Sequence, residues 1–185
     1  IDIGSVSSNL VLLDDNFGII HSISQRHKGN PFDCALAQIN NVIEKHGLPN
    51  YWALTGSGAM QLARALDIYY VNEFPAISES VSRLLPGIKT IFEMGGQQAK
   101  YIHLSRRDNG PASLDDFAIS GLCAAGTGSF LDQQATRLGV NIENEFGEMA
   151  IKCNNPPHIA GRCSVFAKSD MIHHQQKGVP VSDII

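Results

Sequence analysis

Two short glycine turns and two cysteines are the residues whose types and spacing could do chemistry in this chain. The first turn closes the opening stretch Ile1-Asp2-Ile3-Gly4-Ser5, and the pattern returns later as Phe92-Glu93-Met94-Gly95-Gly96. At the same offset Leu10, Val11 and Leu13 fall over Tyr101, Ile102 and Leu104, so each copy reads as strand, turn and second strand. A strand ending in Gly-Ser or Gly-Gly lets backbone N–H groups approach a ligand with no Cβ in the way. Several N–H groups pointing one way form a nest for an anion. Ser5, Ser7 and Ser8 add hydroxyl donors. Asp2 and Glu93, each two residues before its glycine, could hold Mg²⁺ through water or orient an attacking water. Two such turns facing each other across a cleft would grip a polyphosphate from both sides. Either turn alone would look the same in an ordinary hairpin.

The second group of residues is built on sulfur. Cys123-Ala124-Ala125-Gly126-Thr127-Gly128-Ser129-Phe130 places a cysteine just ahead of small residues that lead into a helical pattern. Gly126 and Gly128 suit an anion-friendly helix N-terminus. Cys163-Ser164-Val165-Phe166 repeats the arrangement before another helix. A metal–thiolate cluster is negatively charged, so two helix N-termini aimed at it would stabilise it. A [4Fe–4S] cluster held by thiolates alone needs four of them, and Cys123 and Cys163 supply two. The cluster would then be shared by two identical chains on a two-fold axis. Each cysteine also has a plainer reading as a small buried hydrophobe. Cys153, His158 and Cys163 form a competing local set for Zn²⁺, but a fourth ligand is not obvious. Cys34 falls in a helix pattern and is expected in the core. His173-His174 is expected on a helix surface, and Arg106-Arg107-Asp108 at a hairpin tip.

The elements that must position these groups follow from periodicity and turn chemistry. Strands are expected over 1–3, 10–13 and 19–23, separated by tight turns. Pro31 opens a helix on which Ala35, Ile39, Val42, Ile43 and His46 share a face, and Gly47 stops it. A short strand over 51–55 ends in Gly56-Ser57-Gly58. Helices are expected over 59–66 and 77–85, then a break at Pro86-Gly87. Strands are expected over 88–94, 99–104 and 117–120, with Asn109-Gly110 as turn chemistry between the last two. Helical patterns return over 128–138 and 165–177. The repeated strand-strand-strand-helix order predicts a duplicated α/β fold, with a first subdomain over 1–87 and a second, carrying the cluster cysteines, over 88–185.

Composition narrows the function classes. Apolar residues make up 43% of the 185, enough for a core, so a disordered chain is excluded. A net charge of −4 with no run of Lys or Arg argues against nucleic-acid binding. No apolar run reaches the roughly 18 residues of a membrane span, so no membrane partner is expected. Four cysteines are too few for a disulfide scaffold, which predicts a cytoplasmic protein. No signal peptide stands out, and the opening Ile1 suggests that a few leading residues are missing. No Gly-x-x-x-x-Gly-Lys-Ser/Thr loop and no Gly-x-Gly-x-x-Gly after a strand is present, which removes P-loop and Rossmann sites.

Together these motifs give the chain a family likeness. Asp2-Ile3-Gly4-Ser5, Thr55-Gly56-Ser57-Gly58, Gly95-Gly96-Gln97, the stretch from Cys123 to Gly128, and Cys163-Ser-Val-Phe166 resemble the ATP-dependent activators of 2-hydroxyacyl-CoA dehydratases and the related benzoyl-CoA reductase ATPase subunits. Gly-Ser-Phe-Leu-Asp-Gln-Gln resembles the large multi-module activases. The resemblance covers essentially the whole chain and implies the acetate-sugar kinase/heat-shock chaperone/actin fold. It implies MgATP in the cleft, with Gly4, Ser5 and Ser7 on phosphate in the first loop and Gly95, Gly96 and Gln97 in the second. Asp2 and Glu93 would serve Mg²⁺ or the lytic water. A [4Fe–4S] cluster would bridge a homodimer through Cys123 and Cys163. ATP hydrolysis would drive a low-potential electron from a ferredoxin or flavodoxin to a dehydratase or reductase. The alternatives are a small-molecule kinase of the same fold and a non-catalytic nucleotide-binding module. Asn9 stands where short activators carry lysine, Glu93 and Gln98 where they often have aspartates, and Lys168 in place of a common glutamate. The adenosine-binding Gly-Gly segment of the family would lie beyond Ile185, so the chain is expected to be part of a larger protein.

Overall fold

The computed structural model describes residues 1–106, 113–121 and 127–185. The Asn109-Gly110 turn, Arg107, Asp108, Cys123 and Gly126 lie outside the described residues. The chain groups into two compact units, one of residues 1–93 with 100–118 and one of residues 94–99 with 119–185.

In the first unit β1 (Asp2–Ile3) pairs antiparallel with β2 (Ser7–Leu13), setting Asp2 opposite Asn9 and Ile3 opposite Ser8. β2 pairs antiparallel with β3 (Ile19–Arg26), with an irregularity at Leu12/Leu13. Alternation decides the faces. Ser8 and Leu10 are buried, whereas Val11 is exposed. Helix α1 (Pro31–His46) starts on a proline whose missing N–H would have lacked a partner anyway, and Gly47 at φ 81° ends it. Its buried residues include Ala35, Ile39 and Val42 from the expected face, together with Gln38. Burying that amide is tolerable because both of its ends are bonded. Ser8 Oγ donates to Gln38 Oε1 at 2.7 Å and Gln38 Nε2 donates to the Ser8 carbonyl at 3.0 Å.

The parallel pair β4 (Ala53–Leu54) and β5 (Tyr69–Tyr70) joins β1 through an isolated bridge between Asp2 and Thr55. Between them runs α2 (Ala59–Leu66), which buries Ala59, Leu62 and Ala63 against Ile3, Ala35 and Leu54. Helix α3 (Glu73–Leu84) starts earlier than the expected 77. Asn72 caps it by accepting the Phe74 N–H at 3.0 Å, and Pro75 sits in the first turn, where a missing donor is harmless. A second three-stranded sheet follows in the order β6 (Thr90–Met94), β7 (Ala99–Ser105), β8 (Ser113–Ile119), with Ile102 and Leu104 buried.

The second unit carries α4 (Gly128–Leu138), α5 (Phe146–Ile151), α6 (Ser164–Gln176) and α7 (Val181–Ile184), burying Ala135, Ala167, Met171 and Ile184. β5, α5 and α7 have no counterpart in the expected elements, because two to six residues are too few for a period to register.

Gly56 lets the chain pass close under β1. Its φ is 98°, and a Cβ there would collide with Asp2 Oδ1 and the Ile3 carbonyl oxygen. Gly56→Ala is therefore expected to destabilise the protein by about 2 kcal/mol or more. Urea unfolding checks this, and an unchanged midpoint would contradict the close approach.

Candidate functional site

Each glycine turn is closed by the same backbone bond. The Gly4 N–H donates to the Ser7 carbonyl at 2.9 Å, and the Gly95 N–H donates to the Gln98 carbonyl at 2.9 Å. Each turn also lies under the start of a helix. The Ile3 carbonyl accepts the N–H of Gly58, the residue that caps α2, at 2.9 Å. The carbonyls of Gly95 and Gly96 accept the N–H groups of Gly128 and Ser129, at the start of α4, at 3.0 and 2.9 Å. The structure thus places Gly4, Ser5 and Ser7 around one turn, and Gly95, Gly96, Gln97 and Gly128 around the other. The sequence did not point to His27, whose ring reaches the Gly4 carbonyl at 3.2 Å.

Beside Asp2 of β1, within the first unit, a cavity of about 350 Å³ is lined by Asp2, Thr55, Glu73, Glu93 and Lys100. Lys100 is only 7% exposed and bridges two carboxylates, Glu93 at 2.7 Å and Glu73 at 3.3 Å. Burial pulls its pKa down, but the hydrogen bond to Glu93 and the charge of Glu73 outweigh it, and the net shift is upward. Asp2 is held above the ordinary carboxylate range, first by burial and further by the charges of Glu73 and Glu93. The hydrogen bond from Asn9 opposes the shift. Asn9 Nδ2 donates to Asp2 Oδ2 at 3.3 Å and Asn9 Oδ1 accepts from Ser24 Oγ at 2.6 Å.

Asn9 and Lys100 are matching positions of the two copies, so the two acids that the sequence treats alike are in different states. Glu93 is neutralised by an ammonium, whereas Asp2 is met by a neutral amide. Asp2 fits a carboxylate that holds a hydrated Mg²⁺, while Glu93 already has a resident cation. Glu73 and Lys100 were not singled out from the sequence, where Glu73 precedes the helix expected over 77–85 and Lys100 falls in the strand expected over 99–104.

Cys163 is half-buried, carries a free thiol and occupies the residue before α6 in an extended conformation. Val165 and Phe166 beside it are 67% and 65% exposed. The loop leading to it is tied back to its own helix. Asp170 Oδ2 accepts the Ala160 N–H at 2.9 Å, and His174 Nε2 meets the His158 carbonyl at 3.2 Å. A reachable thiol backed by the free N–H groups of a helix start fits a thiolate ligand of a metal cluster. Among the described residues no three His, Cys, Asp or Glu side chains come together as a metal site, so Cys153, His158 and Cys163 do not assemble into a zinc centre. Cys34 is buried on α1, as expected, and burial pushes its thiol pKa up.

This is an α/β fold of the actin-like ATPase kind, and comparison with known proteins places it further. The chain belongs to the BadF/BadG/BcrA/BcrD ATPase family, which it matches over residues 1–185. It is 30% identical over 189 residues to the (R)-2-hydroxyglutaryl-CoA dehydratase activating ATPase of Acidaminococcus fermentans, matching 100% of this chain and 70% of that protein. The crystal structure of component A of the (R)-2-hydroxyglutaryl-CoA dehydratase of A. fermentans superposes with a TM-score of 0.83 at 28% identity, covering 99% of this chain and 69% of that one. The activator of the 2-hydroxyisocaproyl-CoA dehydratase from Clostridium difficile, with bound ADPNP, superposes with a TM-score of 0.81 at 29% identity, covering 99% and 67%. Among the described residues no helix is long and apolar enough to cross a membrane.

Two outcomes are expected. Because the folded state raises the Asp2 pKa, its ionised form costs the fold stability above that pKa, and the cost fades as pH falls through it. Asp2→Asn should therefore raise the melting temperature at pH 7 by about a few degrees, and the gain should shrink on acidification. A lower melting temperature at pH 7 would contradict the burial of Asp2. Alkylation by iodoacetamide at pH 7 should modify Cys163 well before Cys34, as read by peptide mass spectrometry, and the reverse order would contradict their exposures.

Proposed function

We propose that the protein is the ATP-hydrolysing activator of an acyl-CoA enzyme, a 2-hydroxyacyl-CoA dehydratase or a related reductase, to which it delivers a low-potential electron. The observation that carries this reading is the pair of glycine turns, closed by the same bond and each set under a helix start. In this reading the N–H groups of each turn are a seat for phosphate of MgATP, with the Ser5 and Ser7 hydroxyls adding donors at the first. Asp2 holds the hydrated Mg²⁺ or orients the attacking water, and Lys100 keeps the neighbouring Glu73 and Glu93 charge-compensated. The dehydratase activators that this chain matches support the same reading.

Cys123 and Cys163 from each of two copies would hold one [4Fe–4S] cluster. When bound, that group supplies one-electron storage at low potential. Cys163 contributes a thiol on a helix start that a strapped loop holds in place, and the exposed Val165 and Phe166 give a second copy an apolar rim to pack on. A ferredoxin or flavodoxin would supply the electron.

Anaerobic reconstitution with iron and sulfide, followed by iron analysis and gel filtration, is expected to give one cluster per two chains. Cys163→Ser should abolish the cluster and leave Mg-ADPNP binding intact. A reconstituted protein without iron would overturn the electron-transfer reading. In the cluster-loaded protein, Asp2→Asn is expected to lower ATP hydrolysis by about 100-fold or more, with Glu93→Gln losing less. Equal losses in both would contradict the division of roles between the two acids.

A further inference from the structure

We propose that His27 is a positioning residue for nucleotide binding: its imidazole turns the Gly4–Ser5 peptide so that the Ser5 N–H faces the phosphate. This rests on the reading of the first turn as a phosphate cradle. His27 follows the last residue of β3 and holds the turn twice. Its backbone N–H donates to the Val6 carbonyl at 3.2 Å, and its ring Nε2 lies 3.2 Å from the Gly4 carbonyl. The Gly29 N–H points at Nδ1 at 3.2 Å. A backbone N–H can only donate, so Nδ1 is the acceptor and the proton of the neutral ring sits on Nε2. His27 Nε2–H therefore donates to Gly4.

The tight loop after it makes this possible. Lys28 at φ 49° and Gly29 at φ 90° both adopt left-handed conformations, which fold the Gly29 N–H back over the ring. The Asn30 N–H closes the loop on the His27 carbonyl at 2.8 Å, directly before α1. Because a trans peptide is planar, its C=O and N–H point in opposite directions. Anchoring the Gly4 carbonyl on His27 aims the Ser5 N–H the other way. In the second turn the N–H groups of α4 do the same work, holding the carbonyls of Gly95 and Gly96 and so aiming the N–H groups of Gly96 and Gln97. A side chain thus does for the first turn what a helix start does for the second.

The test compares His27→Leu, which removes the donor, with His27→Gln, whose side-chain amide can still donate near the Nε2 position. Calorimetry with ADPNP and Mg²⁺ is expected to show affinity weakened about tenfold or more in the Leu variant, with most of it restored in the Gln variant. Hydrogen exchange at the Gly4 amide, which closes the turn, should be faster in the Leu variant than in either the wild type or the Gln variant. Equal behaviour of Leu and Gln, or a Leu variant indistinguishable from wild type in both measurements, would overturn the proposal. If the wild-type chain itself takes up no nucleotide, the phosphate reading fails, and exchange at Gly4 alone decides whether His27 sets the turn.

Discussion

The direction of a few peptide planes is the constraint on which the site depends. A glycine turn has many available conformations, and in most of them its N–H groups would point to no common centre. What selects one conformation is a donor on the far side of each plane. Gly58 supplies it to the Ile3 carbonyl, and Gly128 and Ser129 supply it to Gly95 and Gly96. These donors come from helix starts, whose first N–H groups have no partner within the helix. The need of each helix for an acceptor and the need of each turn for an anchor are thus met by one bond. The core beneath the first turn serves the same end: Ile3, Leu54 and Ala59 pack together, which holds β1 and the start of α2 in register.

Onto this repeated backbone the chain has set unequal charges. The strand after the first turn presents Asn9 to Asp2, and the strand after the second presents Lys100 to Glu93. A buried ammonium between Glu93 and Glu73 satisfies both acids, because opposite charges at hydrogen-bond distance offset the cost of leaving water. An amide beside Asp2 offers one hydrogen bond and no charge. The result is a carboxylate that burial makes reluctant to ionise, next to a pair of acids that share one ammonium. Of Asp2, Glu73 and Glu93, Asp2 is the acid that does not pair with Lys100, and under the proposed function it is the one that would meet a cation arriving with a nucleotide.

Much of this was legible in the sequence where the signal is local. The glycine turns, α1 with its opening Pro31 and closing Gly47, α2 after Gly58, and the starts of α4 and α6 all follow from punctuation and period. Where a local cue had two meanings the reading slipped. The third helix was expected from 77, yet α3 opens at Glu73 with Pro75 in its first turn, where proline is harmless. Three-dimensional partners were not legible at all. His27, Glu73 and Lys100 are ordinary residues in their own stretches, and only the pairing of β2 with β3, and the placement of α3 beside β7, brings them to the site. The matching offset of Asn9 and Lys100 was present in the sequence, but its meaning depends on knowing which acid each one faces.

The bonds at the start of α4 bear on how a nucleotide could be felt at the cysteines. With both Gly128 and Ser129 bonded to the second turn, the turn and the helix cannot shift independently without breaking two backbone hydrogen bonds. Cys123 stands just ahead of that helix in the sequence. Cys163 is carried on α6, and its approach loop is fastened to the same helix by Asp170 and His174, so thiol, loop and helix form one body. A ligand that pulls on the second turn therefore acts on α4 as a lever rather than on a loose loop. Packed elements respond to such a pull by moving as units between discrete arrangements, not by stretching. Under the proposed function, that rigidity is what lets phosphate contacts at a glycine turn change the surroundings of a sulfur atom.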